Sequence, residues 1–298
     1  MDALVNDNAV EPTLAGTASS AGLNDTNGAS GWCASLNVGF EAGHERTLVS
    51  ERRHSGPLRV QRPFYPEGFP CHSYMLHPPG GIVGGDELAI NVGVGSGAHA
   101  LVTTPAANKF YRSAGPWAVQ RQYLRVADGA SLEWLPQEQI AFEAARADTL
   151  TAVDLAPGAR FIGWEITCLG RPAAGEGFDQ GCLRNRFELR RHGKPLLLER
   201  NRIDGGSPVL DAPWGLGGYR AMATLVAVGA AADDRDALRE GLAGADSPEA
   251  VSLLDDVLVW RWLGPGAQEG LRRLERSWSL LRPRLLGRHP CPPRIWRT

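Results

Sequence analysis

Alternation of apolar and polar residues from Trp32 to about Val228 predicts a mainly β fold built of stacked, solenoid-like strand layers. A Gly-Ala pair recurs at 97–98, 129–130 and 158–159, each time opening an alternating run, and this recurrence predicts the stacking. Helical punctuation is confined to the last quarter of the chain, so two or three helices are expected near the C-terminal end.

Residues 1–31 contain no Lys or Arg and no continuous apolar block. They are expected to form a disordered extension rather than a secretory signal, ahead of a single domain over 32–298. Within that domain SLNVGFE (35–41), GDELAINVGV (85–94), HALVTT (99–104) and VQRQYLRV (119–126) each fit a strand of modest length. SLEWLP (131–136), TLTAVDL (149–155), RFIGWEIT (160–167), RNRFELRR (184–191) and KPLLLERNRI (194–203) continue the series, with Gly-Gly, Pro-Gly and Asp-Gly turns between strands. A unit made of a small-residue turn and one alternating strand cannot bury its apolar face alone and is stabilised by its neighbours. The competing reading is chance recurrence in a chain that holds 36 glycines.

Farther on, Asp233 and Asp234 can cap a helix over ALREGLAG (237–244), with Gly244 as its stop. Ser247 followed by Pro248 predicts a second helix over EAVSLLDD (249–256). VLVWRWL (257–263) is expected as a strand, and Pro265-Gly266 then leads into a third helix, AQEGLRRLERSWSLLR (267–282). Leu271, Leu274, Trp278 and Leu281 share one face of that helix, with Arg272, Arg273 and Arg276 turned mostly away. Pro283 is expected to push Arg282 out of helical geometry and end it.

Composition removes several function classes. A net charge of −2 lacks the basic footprint that bulk nucleic-acid binding needs. The bias is local: from Leu271 to Thr298 eight arginines face one acid, Glu275. Five scattered cysteines (33, 71, 168, 182, 291) without a CxxC pair suit a reducing compartment. No stretch approaches the roughly 18–20 apolar residues of a membrane span, and a cytoplasmic location is expected.

GVGSGA (93–98) leads into a strand-like run, so it reads as a tight β-turn and not as a dinucleotide fingerprint. The single Gly-Lys pair, Gly193-Lys194, precedes Pro195, so there is no P-loop. Cys71, His72 and His77 bring soft-metal chemistry together, yet their spacing fits no standard finger, and side chains near a turn are the preferred reading. Thr104, Lys109, Tyr111 and Arg112 could form an anion site, but a turn at Pro105–Ala107 followed by an amphipathic strand is the preferred reading. Four acids stand in or beside apolar runs: Asp86, Glu138, Glu165 and Glu199. A dry buried carboxylate is costly, so each is expected to be paired, hydrated, lining a polar route, or turned outward to solvent. The basic, aromatic tail PRIWRT, with Arg294, Trp296 and Arg297, and Arg288 before it, suits partner docking. Trp260, Trp262 and Trp296 are expected to contribute exposed apolar surface for a partner.

HPPGGIVGGD (77–86), TTPAANKFYRS (103–113), LEWLPQEQIAFEAARA (132–147), RNRFEL (184–189) and LRPRLLGRHPCPPRIWRT (281–298), in this order, resemble the UreD (UreH) family of urease accessory proteins. The resemblance covers about Trp32 to Thr298, with departures at Ala106, Asn108 and Ala144, where the family often has Gly, a small hydroxyl residue and Gly. It implies a stacked β fold and a scaffold that is not an enzyme. It further implies binding of the urease apoprotein, the helical accessory protein UreF and the GTPase UreG. By the same resemblance nickel is inserted into urease in a GTP-dependent step, with transient Ni(II) and no tightly bound cofactor; passage of the metal through the protein's interior would use the candidate acids. Neither nucleic acid nor membrane is expected as a partner. Two rival classes remain. One is a carbohydrate-active β enzyme with Glu138 and Glu143 as acid and base, which the five-residue spacing disfavours on one strand. The other is an interaction module without a metal role.

Overall fold

A computed structural model describes residues 31–244 and 247–297. The expected disordered extension therefore falls, apart from Gly31, outside the described residues. The chain opens with an antiparallel hairpin, β1 (Cys33–Ala42) and β2 (Thr47–Ser55), followed by the short β3 (Arg59–Val60) and by β4 (Cys71–Leu76). Successive turns of a solenoid follow. The first contributes β5 (Glu87–Val94), β6 (His99–Thr103) and β7 (Asn108–Phe110). The second contributes β8 (Ala118–Val126), β9 (Ser131–Leu135) and β10 (Gln139–Ala141). The third contributes β11 (Arg146–Leu155) and β12 (Arg160–Leu169), and a hairpin of β13 (Cys182–Arg191) and β14 (Lys194–Asp204) closes the stack. Then come β15 (Ala221–Val228), helix α1 (Ala232–Leu242), β16 (Glu249–Leu254), β17 (Val257–Gly264) and helix α2 (Ala267–Leu286).

Two sheets result. The first runs β14-β13-β11-β8-β5-β1-β2 and the second β16-β17-β15-β12-β9-β6-β4-β3, while β7 and β10 extend sideways from β12. Because corresponding strands of successive turns lie side by side, β1, β5, β8, β11 and β13 are parallel, as are β4, β6, β9 and β12. The recurring Gly-Ala pairs are the corners between the sheets. Each corner closes with the same backbone bond: Ala98 N–H to Gly95 O, Ala130 N–H to Ala127 O, and Ala159 N–H to Ala156 O. The corners also stack, since Ser131 N–H donates to Ala98 O and Arg160 N–H to Ala130 O. Gly97 and Gly129 adopt φ of +71° and +66° there, which a side chain at Cβ would resist.

Strand alternation fills the space between the sheets with Leu36, Val38, Phe40, Leu88, Ile90, Val92, Leu124 and Val153, all buried. The far side of the second sheet is covered by α1 and α2, where Leu101, Leu135, Trp260, Leu274, Trp278 and Leu281 form a second core. Trp260 and Trp262, expected at the surface, are instead buried because adjacent rows of β17 lie between the two cores and under α2. Among the described residues the exposed aromatics are Trp214, Trp32 and Tyr123.

Two further expectations are corrected. EAVSLLDD forms no helix. Glu249–Leu254 is strand β16, paired antiparallel with β17 so that Val251 lies opposite Trp260, and the hairpin turns at Asp255, whose φ is +52°. Pairing with β17 outweighs the Ser-Pro helix signal. Nor does Pro283 end α2, which continues to Leu286 and is closed by Gly287 at φ +64°. Arg282 therefore keeps helical geometry, and it is fully buried. Helix α1 starts earlier than expected, and Asp234 accepts the Ala231 N–H at 2.8 Å.

Candidate functional site

At one end of the space between the sheets lies a cavity of about 360 Å³. Its polar lining comes from separate turns of the solenoid: Gln120 and Gln122 from β8, Asn108 from β7, Gln139 from β10 and Glu165 from β12. His77, Lys109, Thr104 and Gln137 add to the polar set, and Ile90, Trp134 and Ile166 supply apolar wall. Strand parity explains the selection. On β8 the even positions face inward, so Gln120 and Gln122 stand in rows otherwise filled by Leu88 and Ile90.

Glu165, half-buried, is the acid of this lining among the described residues. Its Oε1 lies 2.5 Å from Thr151 Oγ1, and its Oε2 accepts Asn185 Nδ2–H at 3.2 Å, both across the gap from the first sheet. Thr151 Oγ1 is also 2.8 Å from Gln122 Oε1. Burial pushes the Glu165 carboxyl up, and the nearby Glu199 charge adds to this against the Thr151 and Asn185 hydrogen bonds. No Lys or Arg bonds to Glu165 among the described residues, so a proton or a cation in the cavity is the group that would neutralise it. His77 lines the same cavity with both ring nitrogens buried and without hydrogen-bond partners. Burial holds its imidazole below the usual value despite the Asp86 carboxylate, which keeps it neutral and able to donate a lone pair.

The remaining predicted acids are placed differently. Glu199 faces the gap from β14 and forms an ion pair with Arg261. Asp86 is buried at the rim, where its carboxylate accepts the N–H groups of Trp32 at 2.8 Å and Val83 at 2.9 Å, clamping the entry to β1. Gln137 and Gln139 line the cavity, whereas Glu138 between them does not. Glu143 accepts the Asp179 N–H at 2.7 Å, so the acid-and-base pair of the glycosidase reading is divided between two settings. Among the described residues no group of three or more His, Cys, Asp or Glu is arranged to hold a metal ion.

Cys71 and His72 are buried in β4, and His72 Nε2 pairs with Glu67 Oε1 at 2.7 Å. Glu67 belongs to a second polar cluster, beneath the C-terminal segment. Arg282 Nε lies 2.9 Å from Glu133 Oε2, and Arg282 Nη2 lies 3.0 Å from Glu133 Oε1 and 2.5 Å from Glu67 Oε1. His99 Nε2 and Trp278 Nε1 reach Glu133 at 2.7 and 2.6 Å. Burial alone would raise the Glu133 carboxyl, but its His99 hydrogen bond and the Arg282 charge hold it down at about 2. Above this cluster Trp296 packs on Trp164 and Trp278, with centroids at 5.5 and 5.8 Å, and donates Nε1–H to Thr103 at 2.9 Å. Arg288 stacks over Phe69 at 5.8 Å, while Arg294 and Arg297 are exposed. Of the expected docking residues, Trp296 and Arg288 thus fasten the tail to the body, leaving Arg294 and Arg297 facing outward.

The amides carry no signal in the sequence because nothing local distinguishes an inward Gln from an outward one; His77 does carry one, with Cys71 and His72, but their spacing fits no standard metal site and favours the turn reading. Glu133 carried the same signal as Glu165, an acid inside an apolar strand, between Leu132 and Trp134.

The profile of the UreD urease accessory protein family matches residues 33–297. The chain belongs to that family. Among its relatives, the urease accessory protein UreD of Alkalilimnicola ehrlichii is 47% identical over 90% of this chain and 92% of its own length. The proteins of the same name from Pseudomonas entomophila and Azoarcus are each 48% identical, over 90% of this chain and 95% of their own. UreD membership sets the chain's role in urease maturation, and the mainly β solenoid expected from the sequence is the fold it adopts. No helix among the described residues is long and apolar enough to cross a membrane.

Proposed function

We propose that this protein is a scaffold that holds the urease apoprotein together with UreF and UreG during GTP-dependent nickel insertion, and that Ni(II) crosses its interior through the cavity at Glu165. Ni(II) is the cargo here and not a resident cofactor. The observation that carries the second half is the presence, in one cavity, of a half-buried carboxylate without a Lys or Arg partner among the described residues, Glu165, and an unpartnered imidazole, His77. Carboxylate oxygen and imidazole nitrogen are both serviceable ligands for divalent nickel, and a set with fewer than three of them holds the ion without trapping it. The surrounding amides of Gln120, Gln122, Asn108 and Gln139 offer carbonyl oxygens to a partly hydrated ion. Reading the protein as a scaffold fits its lack of nucleotide motifs, since UreG would supply the GTP chemistry.

The test is Glu165→Gln and His77→Phe, each co-expressed with urease and the accessory proteins. Complex assembly is expected to persist while nickel per urease falls by about tenfold, the scale on which loss of one supporting metal contact acts. Normal nickel loading in both variants would overturn the interior route. Loss of the complex in both would assign these residues to architecture.

A further inference from the structure

Parallel sheets are ordinarily covered on both faces. Here α1 and α2 both pack on the second sheet, and the outer face of the first keeps half-exposed or exposed rows across its whole width. Two adjacent rows of that face are unusual. In one, Arg121, Leu150, Arg186 and Arg200 lie side by side on β8, β11, β13 and β14. In the next toward the rim, Val119, Asp148, Arg184 and Arg202 do the same. Arg186 is therefore directly opposite Arg200, and Arg184 directly opposite Arg202, in an antiparallel pair where like charges destabilise.

The carboxylates within reach compensate only part of this. Asp148 serves Arg186 at 3.0 Å and Arg121 at 3.1 Å, and Asp204 takes Arg202 at 2.9 Å. Arg184 lies over the Trp117 ring at 4.2 Å and makes no ion pair of its own among the described residues, sharing only the field of the Asp204 carboxylate that Arg202 already holds. Arg200 is exposed and makes no ion pair among the described residues. On the other side of the Arg121–Arg200 row, Tyr123, Ala152, Glu188 and Leu198 form a third row whose Tyr123 and Leu198 are both exposed. Arginine around exposed Tyr and Leu is the composition of a protein-binding centre.

We infer that the outer face of the first sheet, centred on Arg200, Arg186, Tyr123 and Leu198, docks a partner protein that presents carboxylates around a small apolar patch. Such a surface answers both features: it neutralises the excess guanidinium charge across β13 and β14, and it covers the Tyr–Leu row. Interleaved Asp148, Glu188 and Asp204 argue against a polyanion such as nucleic acid, whose phosphates would meet them. The assignment is independent of the nickel route, although its assay uses the proteins of the proposed maturation complex.

Arg200→Glu separates docking from folding. It sets a carboxylate opposite Arg186, so thermal stability is expected to hold or rise, whereas capture of the acidic partner weakens by about tenfold or more because a like-charge contact replaces a favourable one. Tyr123→Ser, on an exposed side chain, is expected to weaken capture of the same partner. The probes are the urease apoprotein, UreF and UreG, co-expressed with the tagged full chain, with binding measured at low and high salt. Capture by both variants at wild-type affinity and salt dependence would overturn the docking face. A wild-type chain that captures none of the three proteins would overturn the maturation scaffold, and the docking assignment with it. Retention of an RNA or DNA oligonucleotide by the wild type, lost in Arg200→Glu, would show a nucleic-acid face and refute the protein partner.

Discussion

Arg282→Met tests what fastens α2 and the C-terminal segment to the solenoid. Arg282 and Glu133 are both fully buried, and the guanidinium makes contacts of 2.9 and 3.0 Å to Glu133 and of 2.9 and 2.5 Å to Glu67. Methionine keeps most of the aliphatic stem, so the loss is electrostatic. It leaves Glu133 with two donors, His99 and Trp278, and removes the one fixed positive charge that faces it. Breaking a buried pair from one side costs about 3–5 kcal/mol, since the other charge stays buried. The expected loss at pH 7, from urea unfolding, is in that range. Adding Glu133→Gln should recover part of it, with a coupling of about 1–3 kcal/mol in the double-mutant cycle.

The pH dependence gives a second readout. In the folded state the Glu133 carboxyl is held at about 2, below the 4.5 of an unperturbed glutamate, and Glu67 is shifted in the same direction against its own burial. A depressed carboxyl contributes stability that is fully present above its unfolded pKa and is lost as pH falls through the folded one. The wild type should therefore lose stability between about pH 4.5 and pH 2, and the deficit of Arg282→Met should shrink over the same window. A deficit below about 1 kcal/mol at pH 7, or one that stays constant down to pH 3, would refute the reasoning.

Three further outcomes are expected. Glu165 carries a raised carboxyl, so wild-type stability should fall as pH rises above the unfolded value of 4.5, and Glu165→Gln should gain stability relative to wild type as pH is raised from there in thermal melts. Ala144 sits at φ +61°, a strained conformation for a residue with Cβ, and Ala144→Gly should stabilise by about 0.5–1 kcal/mol in urea. Trp296→Ala removes a ring held between Trp164 and Trp278 and a hydrogen bond to Thr103; because the ring is only half-buried, the expected cost is about 2 kcal/mol by urea unfolding, below that of a fully buried Trp.

The strands and corners were legible in the sequence because both signals are local. A period of two fixes which side chains face inward, and the Gly-Ala corners carry their own backbone bonds, so the strands from Glu87 to Ile203 that flank these corners were legible without long-range information, whereas β2 and β4 were not read as strands. Segment 249–254 did not, since Ser247-Pro248 is a good helix opening and only pairing with β17 makes it a strand. The cavity was half legible. Glu165 drew notice as an acid among apolar residues, but its partners Thr151 and Asn185 come from β11 and β13, and only the sheet register sets them facing it. Asp86 gave the same signal and turned out to be a backbone clamp, so the signal marks burial and not chemistry.

Arg282 shows most directly why local rules fail where they do. A proline inside a helix costs about 3 kcal/mol, and on that ground Pro283 should have ended α2 before Arg282 was fixed. The helix instead runs on to Gly287, carrying Arg282 into the core against Glu133, 149 positions away in sequence, and Leu285 onto the second sheet. Contacts of that range are comparable in size to the proline's cost and invisible to any window of neighbouring residues. The same logic applies to the outer face of the first sheet: Arg186 and Arg200 violate a cross-strand rule, and the one carboxylate within reach of Arg186, Asp148, offsets it only in part while Arg200 makes no ion pair among the described residues. In α2 the compensation lies inside the fold. For the arginine rows it has to come from outside, which is why that face, and not the buried cluster, carries the inference of a partner.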